Sequence, residues 1–286
     1  MGYSARYHAV SVAAIFLALA VGLLLGAEYG DDVLRDTAQS LESSLTSDLE
    51  DARGRIDELE SELAREQRFG EEVYPALVGD TLPGRSLAVV ALGARPDGAL
   101  RDDFLAALEP TGAEVTQIAQ VREPPDVKGL ADLVFGTGRD RELAEEAVKK
   151  AGRALVDGRS FYEEAQDVLL SGFSGSTDPV NGVIVVRQQP ASAEDDAATD
   201  AIESSLVDGL LAGGVPVVGV ERTDADPSSI GFFQGQGLTT VDDIDLTAGG
   251  VALVYALRGA RGAFGVGEGS ELVPPLLRRP GEIAAP

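Results

Sequence analysis

The sequence predicts an α/β protein in three parts: a single N-terminal transmembrane helix, a coiled-coil stalk, and a Rossmann-like, largely parallel α/β domain. Three observations carry this reading. Ala9 to Ala27 is an uncharged apolar run of 19 residues, the length a helix needs to cross a bilayer's hydrocarbon. From Asp31 to Glu72 apolar residues recur at heptad-like spacing in a charged segment without proline, as in a supercoiled helix. Past Leu82-Pro83-Gly84, short apolar runs alternate with amphipathic segments, the pattern of a mostly parallel sheet with helical crossovers. The divisions fall at 1–30 for a cytoplasmic stub and anchor, 31–74 for the stalk, 80–260 for an exported α/β domain, and 261–286 for a Gly/Pro-rich tail.

The anchor comes first. Ser11 is the only hydroxyl within it, and such a side chain can bond back to a carbonyl one turn earlier. Ala14, Ala18, Gly22 and Gly26 recur at steps of four, which lets two helix backbones approach closely, although glycine is also common in membrane helices that do not pair. Arg6 precedes the run, and Glu28, Asp31 and Asp32 follow it. The positive-inside tendency therefore places residues 1–8 in the cytoplasm and the rest outside. The rival is a cleaved secretory signal, but the apolar core is longer than such signals carry, and Leu25-Gly26-Ala27 fits a small-x-small cleavage site poorly. Either way the bulk of the chain is exported.

In the stalk, Leu34, Ala38, Leu41 and Leu45, then Leu49, Ala52, Ile56, Leu59 and Leu63, form one apolar stripe, with a stutter at the four-residue step between Leu45 and Leu49. At 1.5 Å per residue such a rod would be about 60 Å long. An isolated polar helix gains little in water without a partner for its stripe, so self-association is expected. A helix folded back on its own globular domain is the alternative. Phe69-Gly70 and Tyr74-Pro75 are expected to end it, since proline cannot continue a helix.

In the globular part the expected order is a strand at Ser86–Leu92, a helix at Ala99–Leu108, a strand at Glu114–Val121, a short strand at Leu130–Phe135 and a helix at Arg141–Ala151. A central strand at Gly182–Arg187, a helix at Asp195–Leu211, a strand at Val215–Val220 and a helix at Thr247–Leu257 complete it. Gly172–Asn181 and Gln189–Glu194 read as surface connections, and the tail as loose.

Composition narrows the chemistry. The net charge of −25 argues against nucleic acid as a partner, because a polyanion has nothing to exchange for phosphate counterions. Cysteine is absent, which excludes disulfides, thiolate nucleophiles and thiolate metal sites. His8 is the sole histidine and precedes the anchor, so neither a Ser-His-Asp triad nor a His-based zinc site can form in the exported domain. Gly172-Phe173-Ser174-Gly175-Ser176 has Ser176 where a nucleophile elbow needs glycine. Gly136-Thr137-Gly138 sits where a dinucleotide's pyrophosphate would bind, but Arg141 occupies the place of the third glycine, and an ordinary strand-to-helix turn explains the pair. Asp242, Asp243 and Asp245 could hold a hard cation or act as acid and base. In a chain with 48 acidic residues such clusters arise by chance, and a solvated turn is the expected reading. No catalytic or cofactor-binding residue is assigned, metal ligands remain unknown, and the chain is expected not to be an enzyme.

The opening Arg6-Tyr7-His8-Ala9-Val10-Ser11-Val12-Ala13-Ala14-Ile15-Phe16-Leu17-Ala18-Leu19-Ala20-Val21-Gly22, then Leu25-Gly26, followed by an acidic coiled coil and an α/β domain, resembles the MctB-type copper transport proteins of mycobacteria and other actinobacteria. The resemblance implies a role in copper efflux or homeostasis across the cell envelope and a location at the outer membrane, where the family has been described as a channel. Copper would be a transported ion rather than a bound cofactor. Copper(I) prefers Cys and Met and copper(II) imidazole, whereas the sequence offers no Cys, one His and Met1 alone, so no ligand residue is carried over. The serial alternating strands of a membrane β-barrel are missing, and one anchor helix lines a pore only if several copies assemble. The membrane, further copies of the chain through Gly22, Gly26 and the stripe, and other envelope proteins are the expected partners. A structural adaptor of the envelope and a carboxylate-dependent hydrolase of the wall are the readings from other classes.

Overall fold

The computed structural model describes residues 5–93, 98–135, 141–158, 166–188 and 196–275. Contacts divide the chain into two units, Met1–Glu66 and Gln67–Pro286. The first unit belongs almost wholly to helix α1, Ala5–Val78. Its segment Tyr7–Gly26 is long and apolar enough to cross a membrane, with mean hydropathy 2.6, and every described side chain in it is exposed. Space is open around Gly22 and Gly26, where an added Cβ would meet nothing within 4 Å. Farther along, Leu41, Leu45, Leu49, Ile56, Leu59 and Leu63 are all exposed, an unusual state for a regular apolar stripe in water. The side chains of Leu34 and Ala38 lie outside the described residues.

The second unit opens with the last turns of α1, and here one expectation is corrected. The helix does not end at Phe69-Gly70 or Tyr74-Pro75 but runs through both to Val78. Pro75 stands in the last turn, where its missing N–H forfeits only one helical bond, and its own carbonyl accepts from Gly79 N at 2.8 Å. Tertiary contacts hold this turn: Tyr74 Oη donates to the Ala107 carbonyl at 2.7 Å, and Val78 is fully buried.

A seven-stranded sheet follows, in the order β3-β2-β1-β4-β5-β6-β7. The strands are β1 Ser86–Gly93, β2 Glu114–Val121, β3 Leu170–Gly175, β4 Gly182–Gln188, β5 Val217–Val220, β6 Thr239–Val241 and β7 Ala263–Phe264. All neighbours pair in parallel except β2 and β3. Among the described residues the helices that pack on this sheet include α2 Gly98–Leu108, α3 Val127–Phe135, α4 Arg141–Asp157, α5 Asp196–Ala212, α6 Ile230–Gly235 and α7 Thr247–Leu257.

Strand periodicity sorts the core into two layers. Ala88, Val90 and Leu92 of β1 join Val183 and Val185 of β4 on one face, with Leu130, Val148, Leu155, Ile202, Leu206 and Phe233 from α3, α4, α5 and α6. Leu87, Val89 and Ala91 join Ile184 and Val186 on the other, with Phe104, Leu108, Val251, Leu253 and Val254 from α2 and α7. Because β1 and β4 are covered on both faces, they read in the sequence as unbroken apolar runs.

Three further expectations are corrected. Leu130–Phe135 is part of helix α3, not a strand; a short apolar run has no period that separates the two, and Asp126 Oδ1 accepts from Gly129 N at 2.9 Å, an N-cap that commits the segment to a helix. The edge position is filled instead by β3, which overlaps the start of the supposed connection Gly172–Asn181. Its Ser-Gly-Phe-Ser-Gly sequence has little apolar signal, and backbone pairing to β2, Ile118 opposite Ser174 and Ala119 opposite Phe173, defines it. The tail is ordered through residue 275: β7 pairs with β6 and buries Phe264. Residues 276–286, Gly136-Thr137-Gly138 and Gln189–Glu194 lie outside the described residues.

Candidate functional site

In a parallel sheet of this kind, functional groups gather at the carboxyl ends of the strands. Here those ends carry most of the buried charge, in three linked groups.

At the end of β4, Arg187 continues the apolar run Val183–Val186 and points toward α5. Its side chain is only 5% exposed. Nε donates to Glu203 Oε2 at 2.7 Å, Nη2 donates to Asp200 Oδ1 at 2.5 Å, and the guanidinium lies 4.2 Å from the centre of the Phe232 ring. Glu203 falls on the buried face of α5 with Thr199, Ile202, Leu206 and Leu210. Burial raises its pKa to about 6, against the opposing pull of Arg187. Its second oxygen, Oε1, has no hydrogen-bond partner.

At the end of β5, Glu221 accepts from Ser228 Oγ at 2.6 Å and from Ser229 N at 2.7 Å, fixing the loop that leads into α6. Desolvation raises its pKa despite these bonds. The next residue, Arg222, pairs with Asp103 of α2 and with Asp224.

The end of β6 supplies Asp242, Asp243 and Asp245, the carboxylates singled out in the sequence. They lie in one turn but do not converge. Asp242 is wrapped by the segment after β7, accepting from Val266 N at 2.7 Å, Gly267 N at 3.2 Å and Ser270 Oγ at 3.0 Å. Asp245 turns to the loop after β5 and accepts from Thr223 N at 2.8 Å and Thr223 Oγ1 at 2.6 Å. Burial opposes its ionisation, but those two bonds and Arg222 outweigh it and hold the carboxyl below its ordinary range. Asp243 points inward, fully buried, with neither oxygen hydrogen-bonded. Desolvation first, and then the charges of Asp242 and Asp245, push its pKa up to about 7. The solvated-turn reading is thereby corrected for Asp242 and Asp243, which are 8% and 0% exposed.

Chemically this end of the sheet offers hard oxygen donors and guanidinium groups. Two of the three sequence-selected aspartates, Asp242 and Asp245, are engaged by protein donors on both oxygens, and the third is sealed from solvent. Among the described residues, no group of three or more His, Cys, Asp or Glu side chains is disposed to hold a metal ion. The elbow-like Ser174 and Ser176 lie in and just after β3, and Ser176 Oγ donates to Asp178 Oδ2 at 2.5 Å within its own turn. Sequence reasoning passed over Arg187, Glu203 and Glu221. A signal for the first two was present: an arginine closing an apolar strand, and a glutamate in the buried stripe of an amphipathic helix.

The opposite end of the sheet holds a cleft lined by Pro216, Leu238, Thr239, Arg258 and Arg261.

Comparison with known proteins points to one group. The family described as "Copper transport outer membrane protein, MctB" matches residues 3–132 and 133–275. The chain is similar to the copper transporter MctB of Mycobacterium bovis (strain ATCC BAA-935 / AF2122/97) and to those of Mycobacterium tuberculosis strains CDC 1551 / Oshkosh and ATCC 25618 / H37Rv. Each is 28% identical over 324 aligned positions, covering 93% of this chain and 97% of the relative.

Proposed function

The chain belongs to the MctB family of copper transport outer membrane proteins, and on that premise we propose that it serves copper transport and homeostasis in the cell envelope, anchored by the apolar run that begins at Ala9, with residues 1–8 cytoplasmic and 80–260 exported. The observation that carries this is the extent of the match, from residue 3 to residue 275, which takes in the apolar helix as well as the α/β domain. The role is non-enzymatic. Self-association through Gly22, Gly26 and the stalk stripe supplies the several copies that any path lined by single helices requires.

Removing this chain from its cell raises cellular copper and lowers copper tolerance. The full chain restores both, and a chain lacking residues 1–30 does not. Unchanged copper content after removal would overturn the reading. Anchoring has its own test: the protein stays in the membrane pellet through alkaline carbonate with its N-terminal residues intact, whereas a mature N-terminus near residue 28 would make the apolar run a cleaved signal.

A second reading is favoured by the donor set. With no Cys, one His and one Met in the whole sequence, and hard carboxylates at the sheet's carboxyl end, the chain is poorly suited to holding copper(I) itself. In this reading it is an envelope adaptor that recruits the copper-handling partner. Calorimetry of the full chain with Cu(I) and with Cu(II) separates the two. Binding tighter than that of a generic acidic protein supports direct handling, and its absence supports the adaptor.

A further inference from the structure

The stalk carries more than an apolar stripe. With Leu49, Ile56 and Leu63 at the first core position of successive heptads, Ala52 and Leu59 take the second. The flanking positions that face a partner helix are then Asp48, Arg55 and Glu62 on one side and Arg53 and Glu60 on the other. All are exposed, as are the core positions, with Leu49 at 51%, Ile56 at 53%, Leu59 at 63% and Leu63 at 58%.

In a parallel coiled coil each residue of the first flank meets the residue five positions later on the partner. Two copies aligned without offset therefore set Asp48 against Arg53 of the second copy and Arg55 against Glu60 of the second copy. Both contacts join opposite charges, and symmetry makes each occur twice. A slip of one heptad reverses every one of them: Asp48 then meets Glu60, Arg55 meets Arg53, and Glu62 meets Glu60. The charges thus select one register and reject its neighbours, as flanking charges do in specific helix pairs.

We propose that residues 45–66 of α1 dock against the same segment of a second copy of this chain, parallel and in register, with Asp48–Arg53 and Arg55–Glu60 contacts setting the alignment. This deepens the self-association reading and stands apart from the role in copper. Parallel alignment also directs both anchors into one membrane and both α/β domains to one side of it, a geometry that an antiparallel pair cannot supply.

The absence of native cysteine makes the test clean, since each introduced thiol is the sole one. The full chain in detergent, carrying Ala52→Cys, forms an interchain disulfide on mild oxidation, because core positions of parallel in-register helices bring identical residues within bridging distance. Ser61→Cys, on the outward face, does not. Arg53→Glu combined with Arg55→Glu puts like charges at every contact and raises the concentration for half-association roughly tenfold. The exchange Asp48→Arg with Arg53→Asp keeps opposite charges in contact and leaves that concentration unchanged. Mass in detergent without oxidation separates the failures. A monomer overturns self-association and the register together. An assembly in which the Ala52→Cys chain fails to cross-link, or cross-links no better than the Ser61→Cys chain, overturns the parallel register alone.

Discussion

Arg187 Nε donates to Glu203 Oε2 at 2.7 Å, with both side chains nearly sealed from water. The same guanidinium reaches Asp200, whose side chain is 49% exposed. The two carboxylates touch one cation, and burial makes their contributions unequal. Breaking a buried pair strands a charge in a poorly polarisable interior, whereas an exposed pair adds little.

Arg187→Met is accordingly expected to cost about 3–5 kcal/mol at pH 7.5, read as a shift in the urea midpoint. Asp200→Asn should cost under about 1 kcal/mol. The Arg187→Met penalty shrinks toward pH 5, where Glu203, already raised to about 6, escapes the unpaired state by taking up a proton. Equal effects of the two substitutions would contradict the assignment.

Asp243 bears on stability in the other direction. Its pKa lies near 7 in the folded chain against an ordinary 3.8, so between those values the folded state holds a proton that the unfolded state has lost. Stability then falls as pH rises through that window. Asp243→Asn removes the ionisation and should stabilise by about 1–3 kcal/mol at pH 7.5. The gain should vanish near pH 4. Thermal unfolding of both chains across that range measures it, and a pH-independent difference would count against a buried, titrating Asp243.

Asp245 has the opposite sign. Held below its ordinary range by Thr223 and Arg222 after overcoming burial, it adds stability above pH 3.8 that is lost as pH falls through its folded value. Thr223→Val deletes the 2.6 Å hydroxyl bond and leaves the backbone donor. A loss of about 1 kcal/mol at pH 7 that narrows below pH 4 is expected, again from urea midpoints.

Two glycines after β7 separate conformational cost from collision. At Gly265, φ is +130° and an added Cβ would fall 1.8 Å from Asp242 Oδ1; at Gly269, φ is +84° and the space is open. Gly269→Ala should cost about 1 kcal/mol, from backbone conformation alone. Gly265→Ala adds displacement of a buried carboxylate from its donors and should cost roughly 3 kcal/mol or more. Comparable midpoints for the two would mean that Asp242 is not held as described.

The apolar helix and the central strands were plain in the sequence because their signals are local. Ala9–Ala27 needs only length and hydropathy, and the runs through Val90 and Val185 need only burial on both faces. The edge elements were not plain. β3 and β7 contain too few apolar residues to announce themselves, and each exists because a neighbouring strand offers backbone groups to pair with. Leu130–Phe135 went the wrong way because its apolar run suits either element and Asp126 decided the matter.

The aspartates divide along the same line. Their spacing in the chain was visible, but it placed three carboxylates in one turn without indicating that Asp242 faces the segment after β7, Asp245 the loop after β5, and Asp243 the core. Residue order by itself determined an apolar helix, a charged helical extension with a repeating stripe and an alternating α/β domain, because hydropathy and periodicity act between near neighbours. Only the tertiary structure decided which charges are buried, paired or left without a donor, because desolvation and hydrogen bonding at the sheet's carboxyl end join residues from β4, β5, β6 and the chain beyond β7.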